Sequence, residues 1–445
     1  MQNGNGVKDR YELTLTTESQ QAADHYVDAL DMFIAQTYGV EQEFGRAVEA
    51  DEGMAVAHAA LGLLQLYRSA PEEAKKSAER AQALAVHATK RERQQVEAIS
   101  LMINGQNDKA YRLIQEHLKE FPRDILMVRL ASRVLILGCS GAGVANFPEE
   151  LLAMVKPLAS DYGDDWAFLG QYAFAHHETG QFADALIYAE RSLEQRPDNA
   201  NASHSVAHVF FETGDPDGGS DFLGDWLDGY DRRGPFNVHL SWHQALFQLA
   251  TGRPENAVSL YEDHIRPTVM KKNLGSLQDA ASLMWRMKIY GDGEPEESWN
   301  EVLEIARPAA EKPGPAFRDA HAALAFAAGG HTEEMGKLIS GLDAMAGEGN
   351  ALSREVMLPL AKGIEAFADE SYDDAADNLD GLVDQLSRIG GSHAQREVFE
   401  DTILESYIRS GRFDKAQELL NTRLKRRTSV RDEVWLGRTM GAAAD

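Results

Sequence analysis

The sequence predicts an all-α fold: antiparallel helix pairs stacked into a right-handed superhelix. Three observations carry this. Between Trp166 and Pro267 a helix-like run ends three times in a small-residue turn, at Thr179-Gly180-Gln181-Phe182, Thr213-Gly214-Asp215 and Thr251-Gly252-Arg253. These turns are 34 and 38 residues apart, and a near-constant period of this length is the signature of stacked helical repeats. Small residues recur at fixed distances on either side of the turns, and alternating β-branched runs are nearly absent.

Taken in order, residues 1–17 are polar and are expected to form a flexible segment. Helical periodicity begins near Glu18 and runs through Ala22, Tyr26, Ala29, Leu30 and Phe33. Each pair aligns on its turn glycine, with small residues where the helices cross and proline just past the second helix, which it cannot continue. Gly105 aligns Ala98, Ala110 and Pro122; Gly180 aligns Ala173, Phe182, Ala185 and Pro197; Gly214 aligns Ala207 and Ser220. Gly252 aligns Ala245 and Ala257, and Gly411 aligns Phe413 and Ala416. Weaker repeats centre on Ser69 (Gly62, Ala74), Gly330 (Ala323) and Glu370 (Gly363, Tyr372, Ala375). The pattern is that of a tetratricopeptide-like solenoid.

Two segments interrupt it. Gly138–Pro148 is rich in Gly and Ala and reads as a lid or a long surface loop. Gly291–Pro295 and Pro308–Pro315 bracket a short helix, Glu297–Ala306, and divide a larger array (18–290) from a smaller one (291–428). The tail, 429–445, carries Trp435 and is expected to cap the last repeat.

Composition narrows the function classes. The net charge is −27 and the isoelectric point about 4.9. An acidic surface of this kind disfavours phosphate backbones, so nucleic acid is not an expected partner. The single cysteine, Cys139, permits no intrachain disulfide. The N-terminus lacks an apolar signal region, and no run reaches the roughly 18 apolar residues of a membrane span. A cytoplasmic location is expected, with no membrane partner.

The chemistry concentrates in histidines. Half of the fourteen lie between residues 176 and 264. His204 and His208 are four residues apart, about 400° of helical turn, so they share one helix face. Register places them at groove-facing positions of a first helix, and Glu212 continues the same edge. His239 and His243 repeat the spacing one pair later, beside Trp242, Ala245, Leu246 and Leu249. First helices of adjacent repeats lie roughly 8–10 Å apart. His176/His177, His204/His208 and His239/His243 sit on three consecutive first helices and are expected to converge on one concave pocket. A single histidine on a packing face is more often a hydrogen-bonded core residue; three stacked pairs are not explained that way.

Two polar patches extend the candidate site. In Gly390-Gly391-Ser392-His393-Ala394-Gln395-Arg396-Glu397, the glycines allow a tight turn and Ser392 is a candidate N-cap. His393 and Arg396 are placed at the groove wall, with Arg396 free to clamp an anion. Asp279, Ser282, Trp285 and Arg286 form the second patch; Asp279, Trp285 and Arg286 are candidate ligand contacts. Phosphate-binding glycine loops and the Gly-x-Ser-x-Gly nucleophile motif are absent. Without paired cysteines any metal site would be built from His and carboxylate.

ANASHSVAHVFFETG, HLSWHQALFQLATG, DAASLMWRM and GGSHAQREVFED resemble the tetratricopeptide repeat protein 38 family, from about Thr17 to Arg427. One departure is Leu240-Ser241, where a bulky polar or aromatic residue is expected before Trp242. The resemblance implies a helical-repeat superhelix and marks the His and Arg positions, without adding a reaction. Two functions are expected from the residues. The first is a module binding a small molecule or peptide in the His-lined groove, with a homodimer compatible. The second is a hydrolase or lyase using His204, His208, His239 or His243 as general base. No cofactor is the leading expectation; the alternative is a divalent ion such as zinc on those four histidines.

Overall fold

The structure, a computed structural model, describes residues 7–293, 295 and 298–442. It is a tetratricopeptide-like helical-repeat solenoid and is 78% helical. The one sheet among the described residues is a short antiparallel hairpin, Val7–Lys8 against Thr14–Leu15.

The pairs that build the centre are Trp166–Glu178 with Phe182–Gln195, Ala200–Thr213 with Pro216–Gly229, and Asn237–Ala250 with Pro254–Leu260. Leu277–Tyr290, Ala316–Ala328 and His393–Arg409 are first helices of later pairs. The turn residues share one backbone conformation. Gly105, Gly180, Gly214, Gly252, Gly330 and Gly411 all lie at φ between 68° and 76°. Ser69 and Glu370 take the same left-handed turn at φ 63° and 59° without being glycine, which confirms the two weaker registers at some conformational cost. At the crossings Ala74, Ala98, Ala110, Ala173, Ala185, Ala207, Ala245, Ala257, Ala323, Ala375 and Ala416 are all fully buried. Small side chains there let helix axes approach closely.

Residues 7–17, expected to be flexible, are held. Tyr11 and Leu15 are buried. The Tyr11 hydroxyl donates to Asp165 Oδ1 at 3.0 Å, and the Thr16 amide donates to Glu92 Oε1 at 2.8 Å. Composition alone reads such a polar stretch as loose; its buried apolar side chains and long-range polar contacts dock it. Asp165 also caps the helix Trp166–Glu178 by accepting from the Phe168 amide, so the hairpin abuts the element that carries His177.

The expected short helix ending at Ala306 is longer. Helix Trp299–Glu311 runs through Pro308, whose missing N–H removes one ladder bond without ending the helix; Glu297 lies outside the described residues. The apolar core continues across 291: one cluster runs from Trp242 to Trp435 and another from Tyr11 to Ala175. The tail forms helix Val430–Ala442, with Trp435 buried. Arg423 grips it through Nε and Nη2 on Asp432 at 2.9 and 3.0 Å.

The Gly138–Pro148 segment is a buttress for distant chain rather than a lid over the histidines. The Gly391 amide donates to the Ile136 carbonyl at 2.8 Å, and Ser140 Oγ accepts from the Ala316 amide at 3.0 Å. The array thus closes on itself, with late repeats seated against early ones.

Candidate functional site

The site grows from one helix edge. Asn201, His204, His208 and Glu212 follow one another at three- and four-residue spacing on helix Ala200–Thr213, and all four are buried. Asn199 starts the helix by accepting from the Asn201 amide, and Gly214 at φ 74° ends it. Asn201 donates to the Ile34 carbonyl, the two histidines face inward, and Glu212 meets His393. A polar edge buried along its length needs a partner at every step, and the neighbouring first helices supply most of them.

His204 and His208 meet the next first helix directly. Their Nε2 atoms are 3.0 Å apart, and His204 Nε2 lies 3.0 Å from His239 Nε2. The His243 ring stands 4.5 Å from that of His208 and 5.0 Å from that of His204, centroid to centroid. From the preceding first helix, His177 stacks flat on His208 at 4.4 Å with the planes 10° apart. Five imidazoles from three consecutive first helices form one nest. His204, His208 and His243 are 5, 1 and 0% exposed, while the His239 side chain is 18% exposed. His239 therefore forms the mouth, with the half-buried Phe236 and Phe174 near His204.

Electrostatics disfavour charge on the three innermost imidazoles. Burial, reinforced by the neighbouring imidazoles, holds His204, His208 and His243 well below the usual histidine range. Carboxylates sit at its edge. His239 Nδ1 lies 2.9 Å from Asp279 Oδ1, and His177 Nε2 lies 3.1 Å from Glu178 Oε1. A carboxylate at Nδ1 fixes the proton there and leaves Nε2 as the acceptor. The His239 ring stacks on Trp242 at 5.3 Å, and Trp242 Nε1 donates to Ser282 Oγ at 2.9 Å. Neither nitrogen of His243 has a hydrogen-bond partner, nor has Nδ1 of His177.

The other expected site residues are placed elsewhere. His176 points away from the nest, because adjacent helical residues are 100° apart; its ring packs on Tyr172 and Tyr188. Trp285 is fully buried and donates to Thr402 Oγ1 at 2.9 Å. Arg286 donates to the Ala394 carbonyl at 2.7 Å and lies 3.8 Å from Asp401 Oδ2. Arg396 is buried, donates to the Gly391 carbonyl, and has the carboxylates of Glu178, Glu400 and Glu212 around it. A guanidinium so enclosed is not a free anion clamp, and that expectation is corrected.

His393 belongs to a second cluster. Its Nδ1 is 2.7 Å from Glu212 Oε1, and its Nε2 lies 3.5 and 3.7 Å from Glu400 and Glu397. Burial works against its charge, but Glu212 and Glu400 outweigh it and raise the group to about 9. Burial likewise works against ionised Glu400, and His393 with the arginines brings it down to about 2. Arg423, Arg426 and Arg427 complete this buried ion network. Its acidic members were recoverable from the i,i+4 and i,i+7 spacing of Glu397 and Glu400 after His393. A cavity of about 160 Å³ adjoins the network, lined by Phe210, Phe211, Arg286, Tyr290, Glu397 and Arg427, and no nest histidine lines it.

Among the described residues three groups bring ligand atoms within 4.8 Å of one another: His204/His208/His243, His177/Glu178/His208 and His393/Glu397/Glu400. The nest is chemically able to accept a proton donor or a Lewis acid. Protonation is disfavoured at His204, His208 and His243. Trp242 and Glu178 were missed in the sequence. Trp242 sits three residues from His239 and reads as core; Glu178 is one step past the His pair, and only folding turns it back.

No family model matches the chain. Solved structures of similar outline include a monomeric IFIT1 mutant with Gppp-AAAA, at 13% identity, 98% of each chain and a TM-score of 0.45. Human IFIT1 dimers with PPP-AAAA (13% identity, TM-score 0.43) and with m7Gppp-AAAA (14%, 0.41) cover 99% of this chain and 98% of theirs. The expectation that excluded nucleic acid as a partner is corrected by these neighbours, which hold RNA. Net charge is a sum over the whole surface, and it does not decide what a local surface binds.

Proposed function

We propose that this chain is a helical-repeat binding protein that holds a small molecule against the imidazole nest, entering past His239, Phe236 and Phe174. The observation that carries this reading is His243: a histidine with no exposure and no hydrogen-bond partner on either nitrogen, set among three other imidazoles. An unpaired buried polar group costs about 1–3 kcal/mol, so the arrangement favours an occupant that meets it. A small molecule fits better than a peptide, because only His239 of the four inner histidines is appreciably exposed. In this reading the four sequence motifs support kinship with the tetratricopeptide repeat protein 38 family; no described helix is long and apolar enough to cross a membrane.

Native mass spectrometry of the intact purified chain tests the reading. Wild type is expected to retain an organic adduct that Phe236→Arg, which fills the mouth, loses without change in helical content. A bare chain mass in both would end it.

A second reading is supported by the His239–Asp279 pair. A carboxylate 2.9 Å from Nδ1 orients an imidazole for proton abstraction through Nε2. In that reading the chain is a hydrolase or lyase with His239 as base, and Asp279→Asn removes turnover while leaving ligand retention intact.

A further inference from the structure

We infer that His204, His208 and His243 form a binding site for one divalent transition-metal ion of the zinc type, with His239 at its mouth. The inference rests on the nest being a ligand site, and goes beyond it by naming the occupant.

The contacts between rings carry the argument. His204 Nε2 lies 3.0 Å from His208 Nε2 and 3.0 Å from His239 Nε2. A ring nitrogen has one proton or one lone pair, directed outward in the ring plane. It cannot serve two partners in line, so at most one of these contacts is a full hydrogen bond. The other is at best the weak arm of a three-centre contact, or sets like against like. A cation at the centre removes the conflict, because it takes one lone pair from each ring.

The spacing fits such an ion. Zinc–imidazole bonds of 2.0–2.1 Å in a tetrahedron put the nitrogens about 3.3–3.4 Å apart. The observed His204–His208 separation is within a few tenths of an ångström of that. The third ligand, His243, brings a nitrogen within 4.8 Å of both His204 and His208. It is fully buried, and neither of its nitrogens has a partner.

The edge of the nest carries the kind of brace a metal-bound histidine set uses. Ligating imidazoles are held by a carboxylate or carbonyl on the other ring nitrogen, which fixes the tautomer. His239 has Asp279 Oδ1 at 2.9 Å from Nδ1. His208 is braced by the stacked ring of His177, itself 3.1 Å from Glu178. Asp279 and Glu178 supply two negative charges beside a dication. All the inner donors are neutral imidazole nitrogens, which suits zinc-type ions; magnesium and calcium take oxygen ligands.

The test uses the full chain after dialysis against dipicolinate. Calorimetric titration with Zn²⁺ is expected to give one ion per chain. Titration with Co²⁺ is expected to give the intense visible bands of a tetrahedral site. His204→Gln and His243→Gln should each weaken Co²⁺ binding by more than about 100-fold, with far-ultraviolet circular dichroism unchanged; Asp279→Asn should weaken it about 10- to 100-fold. A stripped wild-type chain that takes neither ion overturns the site, as does wild-type affinity in His243→Gln. An organic adduct retained without metal uptake sinks this inference and leaves the proposed function standing. Loss of both sinks both, and metal uptake with no organic adduct sustains the site alone.

Discussion

His393 and Glu212 stand 181 positions apart in the chain, yet Nδ1 of one lies 2.7 Å from Oε1 of the other. The contact ties helix His393–Arg409 to the same helix edge that carries His204 and His208. Late repeats are therefore part of the wall behind the nest.

The pair titrates in a defined direction. His393 is raised to about 9 in the folded chain, above the unfolded value of about 6.5. Its contribution is fully present below that unfolded value and is lost as pH rises through about 9. Integrated, the shift corresponds to about 3 kcal/mol. The urea midpoint of wild type is expected to fall between pH 7 and pH 10, and the fall should shrink markedly in His393→Gln. Parallel profiles in the two proteins would contradict the assignment.

The nest responds oppositely. His204, His208 and His243 are depressed when folded, so acid favours the unfolded chain. Their neutral state supports folding above about pH 6.5, and stability falls below it by up to about 1.4 kcal/mol per pH unit per group. The metal-free protein should lose thermal stability from pH 7 to 5, with a shallower slope in the His204→Gln/His208→Gln double variant. Calorimetry across that range decides it.

Arg396→Ala is expected to destabilise the chain by about 2–4 kcal/mol, since it removes one buried countercharge from among the carboxylates of Glu178, Glu212 and Glu400. Co²⁺ binding at the nest should be unchanged. A normal melting temperature with lost binding would restore the anion-clamp role.

Gly391 tests the closure of the array. It lies at φ 78°, and a Cβ there would stand 2.2 Å from the Phe317 ring. Gly391→Ala is expected to cost about 2–4 kcal/mol through strain and displacement of the bond to Ile136, read as a lower denaturant midpoint. Gly105→Ala, with open space around its Cβ, should cost only about 1–2 kcal/mol, the left-handed penalty alone.

Trp285→Phe should cost about 1 kcal/mol by leaving Thr402 Oγ1 without its indole donor, with no change in Co²⁺ affinity. Weakened metal binding in this variant would place Trp285 back at the site.

The sequence by itself determined the helices, the turns and the facing of each histidine pair, because these depend on residues within one helical turn of each other. The left-handed turns at Gly180, Gly214 and Gly252, the small residues at Ala173, Ala207 and Ala245, and the shared face of His204 and His208 are all of this kind. Adjacent stacking brought His239 and His243 to them for the same short-range reason. Tertiary structure alone decided which polar residues joined. His177 enters and His176 does not, because one residue-step turns a side chain through 100°. His393 and Arg396 go to carboxylates because closure of the superhelix, set by contacts such as Gly391 with Ile136, presents them to Glu212 and its neighbours. Residues 7–17 are ordered by Asp165 and Glu92, far along the chain. Periodicity records which face a residue occupies; it does not record which distant helix will meet that face.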